Sequence, residues 1–153
     1  KNVLELGTSL GINALYLTKA CSNSNVISLE GCPNTLNIAK ENFQKLNAKV
    51  LTVIGEIGET LPKVLKEIEK LEFVFFDANH KKQPTLNYFN TCLPHINEHT
   101  VFIFDDIYWS KEMGEAWEQI THHPNVTLSI DLFDLGLVFF RKNQPKQHFL
   151  LRF

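Results

Sequence analysis

Short apolar runs alternate with longer segments of helical periodicity along most of the chain. The runs predict five strands, at 3–7, 26–30, 50–54, 73–77 and 101–105. The segments between them predict five helices, at 11–21, 33–46, from 62 onward, 85–95 and 110–121. We expect Thr60, Thr85 and Ser110 to cap three of these helices, because a hydroxyl side chain satisfies the unbonded N–H groups of a first turn.

The last part of the chain has a different pattern. Two predicted strands, 126–133 and 137–142, follow each other with no room for a helix between them. Residues Asp134, Leu135 and Gly136 predict the turn of a hairpin. Strands that alternate with helices predict a parallel sheet with helices on both faces. We therefore expect an α/β fold with one doubly wound, seven-stranded, mostly parallel sheet and a C-terminal antiparallel β-hairpin.

Composition limits the possible partners. The chain has 153 residues, of which 44% are hydrophobic, and this content excludes intrinsic disorder and predicts a single domain over 1–153. With 15 Lys and Arg against 17 Asp and Glu the net charge is −2, whereas a nucleic-acid-binding domain needs a basic face. No apolar run approaches the roughly 20 residues of a membrane span. We expect neither nucleic acid nor a membrane as a partner.

The chain begins with Lys1 and enters its first predicted strand at once. Because domains rarely begin at the centre of their own sheet, we expect this domain to lack its native N-terminal segment.

The three cysteines, Cys21, Cys32 and Cys92, are odd in number and widely spaced. This pattern is neither a disulfide framework nor a zinc site, so it predicts buried, reduced thiols. Reduced thiols are typical of a cytoplasmic protein.

Acidic residues follow four of the five predicted parallel strands: Glu30, Glu56, Asp77, and Asp105 with Asp106. In an open parallel sheet, ligands bind at the carboxyl ends of the strands. A carboxylate that leaves a buried strand is costly unless it finds a hydrogen-bond donor or a cation. Core packing therefore does not account for these acids, and the pattern indicates a binding site at this edge.

The remaining strand end is a glycine turn that runs from Gly7 to Gly11. Glycine lets the backbone approach a ligand closely, and the following helix start offers N–H groups. The turn has Ser9 in place of the central glycine of the dinucleotide motif, and no Gly-Lys-Ser/Thr follows as in a P-loop. A plain tight turn is the alternative. Glu30 lies 19 residues after Gly11, where an acid accepts hydrogen bonds from ribose hydroxyls, and together they favour a nucleoside-bearing cofactor.

The segment Val3-Leu4-Glu5-Leu6-Gly7-Thr8-Ser9-Leu10-Gly11 resembles motif I of class I S-adenosylmethionine-dependent methyltransferases. Its Glu-x-Gly-Thr-x-x-Gly form is similar to the catechol O-methyltransferase-like branch and its bacterial relatives. The likeness continues through Glu30, Glu56, Asp77, the Asp105-Asp106 pair and the closing hairpin. It implies a Rossmann-like fold, S-adenosylmethionine as cofactor and a small-molecule acceptor. The missing N-terminal segment would then form a lid over the cofactor, shape the acceptor site and hold a homodimer contact.

The resemblance implies a cofactor site made of Glu5, Gly7, Thr8, Gly11, Glu30, Glu56, Ile57 and Asp77. The two glycines would line the methionine part, and Glu5 beneath them would reach its amino group through water. Glu30 would hold the ribose hydroxyls, while Glu56 and Ile57 would lie near the adenine. Asp77 would lie beside the sulfonium and its methyl group.

A metal site is a second implication of the resemblance. In the metal-dependent branch, an aspartate after the fourth strand and an acidic pair after the fifth bind one divalent cation. Asp77 and Asp105 are 28 residues apart, as in that branch, and Asp106 follows directly. Three carboxylates suit Mg²⁺, which would activate and orient a substrate hydroxyl. The alternative is that the pair only caps its strand while Asp77 faces the cofactor amine.

His80 takes the place of the lysine that catechol-type enzymes carry three residues after the first aspartate. Asp-Ala-Asn-His is closer to the Asp-Gly-x-His of another bacterial branch. Because histidine exchanges protons near neutral pH, we expect His80 and Asp77 to be catalytic, and a solvated loop histidine is the alternative. Tyr108 and Trp109 follow the acidic pair, and they either stack on a flat substrate or hold the next helix.

These features predict a methyltransferase that moves a methyl group from S-adenosylmethionine to a small-molecule oxygen, with Mg²⁺ as a further expected component. The protein would contribute proximity, alignment and deprotonation of the acceptor. A nicotinamide-dependent oxidoreductase is one alternative, disfavoured by the missing central glycine and the terminal hairpin. A non-catalytic cofactor-binding module of the same fold is the other.

Overall fold

The computed structural model describes residues 1–20 and 23–152. Its strands are β1 (Asn2–Leu6), β2 (Asn25–Glu30), β3 (Leu51–Ile54), β4 (Phe73–Phe76), β5 (Val101–Asp105), β6 (Leu128–Asp131), β7 (Leu135–Phe139) and β8 (Gln147–Leu150). Its α-helices are α1 (Ile12–Ala20), α2 (Pro33–Lys45), α3 (Ile57–Lys66), α4 (Lys82–Cys92) and α5 (Lys111–His122). A short 3-10 helix, Leu93–His95, follows α4. The alternation of strands and helices along 2–122 confirms the pattern predicted from the sequence.

The strands form one sheet in the order β3-β2-β1-β4-β5-β7-β6-β8. β7 is antiparallel to both of its neighbours, β5 and β6. The remaining pairs are parallel, so β7 alone among the described strands runs against the others. This arrangement confirms the Rossmann-like α/β fold. It also means that β6 points the same way as β5, and both end at the same edge of the sheet.

The predicted number of seven strands was one too few, because β8 adds a parallel edge strand next to β6. Its four residues are all exposed, so they carry no alternation of buried and exposed side chains that a sequence pattern would reveal. β8 is held by backbone hydrogen bonds instead, among them Gln147 N to Thr127 O at 3.0 Å and Leu151 N to Asp131 O at 2.9 Å.

The predicted hairpin turn was also displaced. Leu135 and Gly136 belong to β7, and the turn lies at 132–134. Gly136 is not a turn residue but a packing residue, because a Cβ there would stand 2.6 Å from the ring of Trp117. The glycine therefore lets α5 lie close against the hairpin.

Of the three predicted helix caps, only Ser110 is confirmed: its side chain accepts a hydrogen bond from Met113 N at 3.2 Å. The prediction for Thr60 was wrong. Helix α3 begins at Ile57, three residues before Thr60, and Glu56 caps it by accepting a hydrogen bond from Glu59 N at 3.0 Å. Thr85 was wrong as well, since α4 already begins at Lys82 and Thr85 is buried within it.

Two apolar clusters cover the two faces of the sheet. The larger one joins the sheet to α3, α4 and α5, and it includes Phe76, Phe89, Phe102 and Phe104. The smaller one contains α1 and α2. In β4, β5 and β7, residues of the larger cluster alternate along the strand with residues that are only partly buried. These partly buried residues are Phe73, Phe75, Val101, Ile103, Leu137 and Phe139.

Cys32 is exposed and Cys92 is buried, so the expectation of buried thiols was wrong for Cys32. Cys32 precedes the first turn of α2 at the surface, where no core surrounds it. Cys21 lies outside the described residues. In the part of the chain that the structure describes, no helix combines the length and the apolar character needed to cross a membrane.

Candidate active site at the carboxyl edge of the sheet

The strand ends that carry the candidate residues lie side by side, because β2, β1, β4 and β5 are consecutive in the sheet. The loops at this edge also hold most of the unusual backbone. Among the described residues, seven non-glycine residues have a positive φ: Ser9, Asn47, Asn79, His80, Asp106, Phe133 and Asn143. Five of these seven follow β1, β4, β5 or β6 directly. Such conformations cost about 1–3 kcal/mol each and cluster at functional sites.

The glycine turn is closed by backbone hydrogen bonds and by tight packing. Gly7 N donates to Leu29 O at 2.9 Å, and Gly11 N donates to Thr8 O at 2.8 Å. A Cβ on Gly7 would overlap the carbonyl oxygen of Asp77, and one on Gly11 would stand 2.5 Å from the ring of Phe43. Both glycines therefore bring the turn against β4 and α2 more closely than any other residue allows.

Glu5 lies beneath this turn and is completely buried. One carboxylate oxygen accepts from Asn13 Nδ2 at 2.8 Å, and the other accepts from the hydroxyl of Ser28. Ser28 Oγ in turn lies 2.6 Å from Thr8 Oγ1, so a buried polar network joins Glu5 to the turn. Burial raises the pKa of Glu5 to about 7, against the opposing effect of these hydrogen bonds.

We expect Glu5 to make stability fall as pH rises. The folded protein keeps the Glu5 proton up to about pH 7, whereas an unfolded glutamate loses it near pH 4.5. Below pH 4.5 the stabilising contribution is fully present, and it is lost as pH rises through 7. A shift of this size corresponds to about 3 kcal/mol. Urea unfolding of the wild type and Glu5→Gln at pH 5 and pH 8 measures it.

The glutamine keeps an acceptor for Asn13 and provides an amide donor for Ser28, but it does not titrate. The wild type should therefore lose about 2.5 kcal/mol relative to Glu5→Gln between the two pH values, because a small part of the contribution is already lost at pH 5. A difference between the two proteins that stays constant with pH would show that Glu5 is ionised throughout.

Glu30 joins the first two strand ends. Oε2 accepts from Ser9 N at 2.8 Å, and Oε1 accepts from Cys32 N at 2.8 Å. The side chain is only partly buried. Since a carboxylate offers about four lone-pair sites, each oxygen retains one for a further donor. The two oxygens are thus oriented by backbone and still able to accept a pair of hydroxyl groups.

A surface cavity of about 550 Å³ lies between the start of α3, which follows β3, and α4, and its lining includes Glu56, Leu61, Asn87 and Tyr88. Glu56 is exposed and Ile57 is buried. Burial and the neighbouring carboxylate of Glu56 raise the pKa of Tyr88. The Tyr88 hydroxyl accepts from Asn79 Nδ2 at 2.5 Å, which links this cavity to the loop after β4.

The loop after β4 brings His80 between two of the predicted acids. His80 Nε2 lies 3.3 Å from Asp77 Oδ1, and Nδ1 lies 3.9 Å from Asp106 Oδ2. The three side chains are partly buried, with about a third of each exposed: 27% for His80, 31% for Asp77 and 38% for Asp106. An imidazole held in this way by a carboxylate can accept a proton on its other nitrogen.

Asp77 and Asp105 lie close enough to affect each other. Burial and the nearby charge of Asp105 raise the pKa of Asp77 to about 6. Burial and the charge of Asp106 raise the pKa of Asp105. Nonetheless, within residues 1–20 and 23–152, no three His, Cys, Asp or Glu side chains are arranged to hold a metal ion. The carboxylates are neighbours, but their arrangement does not fit a metal ion.

The two aromatic residues after the acidic pair have different roles. Tyr108 packs against Phe133, with ring centroids 5.8 Å apart, and its hydroxyl donates to Asp131 Oδ2 at 2.5 Å. Trp109 is 71% exposed, and its ring lies 6.3 Å from that of His80. Tyr108 therefore holds the hairpin, while Trp109 remains open to solvent beside His80.

Asp131 was missed by the sequence reasoning. It is an acid at the carboxyl end of β6, at the same edge as Asp105, and it is fully buried. The direction of β6 follows from two successive antiparallel pairings, β5 with β7 and β7 with β6. Extending the rule of strand-end acids to the sixth strand would have found it.

Comparison with known proteins agrees with this geometry. A family model described as "Methyltransferase domain" matches residues 4–107, which contain the glycine turn and the strand-end acids through Asp106. The chain belongs to this methyltransferase family. The resemblance noted at motif I is thereby confirmed.

Two curated relatives and one solved structure illustrate the family. The chain is 29% identical over 111 residues to a catechol O-methyltransferase of Niastella koreensis. The matched residues make up 70% of this chain and 49% of the relative. It is 26% identical over 114 residues to the O-methyltransferase imqG of Aspergillus flavus, covering 70% and 45%. The O-methyltransferase from Bacillus cereus in complex with SAH is 25% identical, with a TM-score of 0.73 over 90% of this chain and 73% of that one.

This methyltransferase chain thus spans about half the length of the curated relatives that it matches. The family model covers β1 to β5 with the carboxyl-edge loops that follow them as far as Ile107.

Proposed function

We propose that this methyltransferase transfers a methyl group from S-adenosylmethionine to a hydroxyl group of a small molecule. The observation that carries the proposal is the pairing of His80 with Asp77, 3.3 Å apart, at the carboxyl edge next to the glycine turn. The carboxyl edge of the sheet therefore holds both a group positioned to accept a proton and a turn suited to a nucleoside cofactor. When bound, S-adenosylmethionine supplies an electrophilic methyl group on a sulfonium.

The residues of the chain would act on both sides of this methyl group. Glu30 would accept hydrogen bonds from the ribose hydroxyls with the lone pairs left by Ser9 and Cys32. Gly7, Thr8 and Gly11 would contribute the closely packed backbone of the methionine side. The buried Glu5 network would hold the turn in this shape from beneath.

Glu56 and Ile57 would border the adenine, beside the cavity that Tyr88 shares with Glu56. The support for this placement is that both residues follow β3, next to β2 in the sheet.

His80 would accept the proton of the acceptor hydroxyl. With Nε2 3.3 Å from Asp77 Oδ1, Nδ1 would be the nitrogen that takes up the proton, and the Asp77 carboxylate would then stabilise the imidazolium. The acceptor oxygen becomes a better nucleophile as its proton leaves. Asp77 thus has a catalytic role and also lies where the cofactor methyl is expected.

The test is methyl transfer from labelled S-adenosylmethionine to a panel of phenols and catechols, followed by mass spectrometry of the product. Appearance of an O-methylated product with release of S-adenosylhomocysteine is the expected result. Binding of S-adenosylhomocysteine without turnover on any acceptor would favour the non-catalytic module instead. Binding of NADH in a calorimeter, with no signal from S-adenosylhomocysteine, would favour the nicotinamide alternative, for which the family membership gives no support.

Mg²⁺ remains a prediction that the same assay tests. Its support is that Asp77, Asp105 and Asp106 come from two adjacent strand ends. Its difficulty is that the described side chains do not form a metal site, so the proton route above uses no metal. Activity that is unchanged by chelation and by Asp105→Asn would contradict a role for Mg²⁺.

Removing the Glu30 carboxylate should weaken cofactor binding. We expect Glu30→Ala to raise the dissociation constant of S-adenosylhomocysteine at least about 30-fold, because each hydrogen bond to a charged group contributes about 1.5–3 kcal/mol. Calorimetric titration measures the change. Glu41→Ala, at an exposed position of α2, is the matched control and should bind as the wild type does. If the wild type, Glu30→Ala and Glu41→Ala bind S-adenosylhomocysteine with equal affinity, Glu30 is not part of the cofactor site.

A cytoplasmic location and a homodimer stay predictions, as does the absence of a nucleic-acid partner. Sedimentation of the purified protein would decide the oligomeric state. The acceptor itself is expected to be a small molecule, as proposed above.

A further inference from the structure

The carboxylate of Asp131 collects donors from four separate parts of the fold. Tyr108 Oη lies 2.5 Å and Trp117 Nε1 lies 3.2 Å from Oδ2. Phe133 N lies 2.9 Å and Arg152 Nη1 lies 3.0 Å from Oδ1. The loop after β5, helix α5, the hairpin turn and the segment after β8 therefore meet at one buried side chain.

Asp131 is a charged group rather than a neutral one in this position. Burial alone would raise its pKa, but the hydrogen bonds from Tyr108, Phe133 N and Arg152 outweigh burial and lower the pKa below its usual value. Its side chain is only 1% exposed. A buried carboxylate of this kind is retained only when several donors satisfy it, and their loss is costly.

The acidic loop, residues 105–110, carries Asp105, Asp106 and Trp109 beside His80. Besides the pairing of Asp105 with Leu135 in the sheet, two hydrogen bonds of its described residues reach the hairpin: Tyr108 Oη to Asp131, and Ile107 N to Asp134 O at 3.3 Å. The second is long, whereas the first is short and made to a charge, so the first is the stronger one. Asp106 has a φ of +54°, a conformation that must be maintained by contacts of the loop.

The geometry points to Asp131 as a positioning residue for the acceptor side of the proposed methyl transfer. Through Tyr108 it fixes the acidic loop, and with it Trp109 and Asp106, against His80. Asp131 itself is fully buried and would touch neither substrate nor cofactor. The inference rests on the proposed function, and it concerns only the acceptor side, since Glu30 and the glycine turn lie on β2 and β1, beyond β4.

The test is Tyr108→Phe, which removes one hydroxyl and leaves Trp117, Phe133 N and Arg152 on the carboxylate. We expect the KM for the acceptor to rise about tenfold, the equivalent of 1.4 kcal/mol, with kcat and the dissociation constant of S-adenosylhomocysteine changed less than about twofold. Tyr16→Phe makes the same chemical change at a tyrosine that is 74% exposed, and it serves as the matched control. An equal loss of cofactor affinity, or no change in KM, would overturn the inference.

Hydrogen–deuterium exchange tests the same inference without turnover. In Tyr108→Phe, the amides of residues 106–110 should exchange faster than in the wild type, while those of β1 and β4 should not. Unchanged exchange in the acidic loop would overturn the positioning role even in an active enzyme. If the wild type methylates no acceptor, the proposed function fails, and faster loop exchange still supports the contact between Asp131 and the loop.

Discussion

Gly7→Ala is expected to lower the free energy of unfolding by at least about 3 kcal/mol, combining the cost of a strained φ with that of overpacking. Gly7 has a φ of +99°, which side chains rarely adopt, and a Cβ there would overlap the carbonyl oxygen of Asp77. This oxygen belongs to the backbone where β4 ends beside β1, and Asp77 N donates to Leu6 O at 2.9 Å. The clash therefore cannot be relieved by rotating a side chain. Urea unfolding at pH 7 measures the loss.

Gly114→Ala is the matched control for this change. Gly114 lies inside α5, and a Cβ there would meet the Tyr108 ring at 3.5 Å, an ordinary contact. Because alanine favours helix more than glycine does, this variant should be as stable as the wild type or up to about 1 kcal/mol more stable. If Gly7→Ala loses less than about 1 kcal/mol, the glycine turn can move away from Asp77 at little cost. The close approach of β1 to β4 would then not constrain the shape of the site.

The parts of the fold that sequence predicted well are those whose pattern comes from burial. β4 and β5 are continuous apolar runs, because both lie at the centre of the sheet and their even-numbered residues pack under α4 and α5. The acids that follow them also stood out, since a carboxylate after such a run has no packing reason to be there. The carboxyl-edge site was accessible from sequence for the same reason.

The parts that sequence missed depend on contacts between distant segments. β8 is an exposed edge strand held to β6 by backbone hydrogen bonds and by one side-chain hydrogen bond, between Ser129 Oγ and His148 Nδ1 at 2.7 Å, and backbone bonds leave no signature in side chains. Gly136 was assigned to a turn, although its role is to admit the Trp117 ring. Asp131 is recognisable as a strand-end acid only once β6 is known to be parallel to β5.

The site itself shows the same division. Sequence identified Glu30, Asp77 and His80 as candidates, but it did not predict that the His80 ring lies between Asp77 and Asp106. That position depends on the positive φ values of Asn79 and His80, +65° and +39°, which sharply reverse the chain after β4. Asparagine and histidine adopt a positive φ more readily than most residues, but the shape of this loop also depends on a distant contact, the hydrogen bond of Asn79 to the Tyr88 hydroxyl.

His80→Asn should lower kcat for methyl transfer at least about 100-fold, the smallest effect usual for removing a general base. Asparagine is the chosen replacement because it tolerates a positive φ, so the loop after β4 keeps its shape at the +39° of His80. The amide cannot accept the proton of the acceptor hydroxyl. Affinity for S-adenosylhomocysteine should change less than about threefold, because the proposed cofactor contacts of Glu30 and Gly7 are made by other strand ends. Single-turnover rates with saturating acceptor measure the chemical step itself.

His99→Asn is the matched control, since His99 is 85% exposed and lies next to Glu98 in the loop before β5, away from the carboxyl edge. It should retain the full rate. Added imidazole should restore part of the activity of His80→Asn but none of the activity of an Asp77→Ala variant, because only the first has lost a base while keeping its carboxylate partner. If His80→Asn retains more than about a third of the wild-type rate, proton removal occurs elsewhere, and the pair of Asp77 and Asp105 becomes the remaining acceptor of that proton at this edge of the sheet.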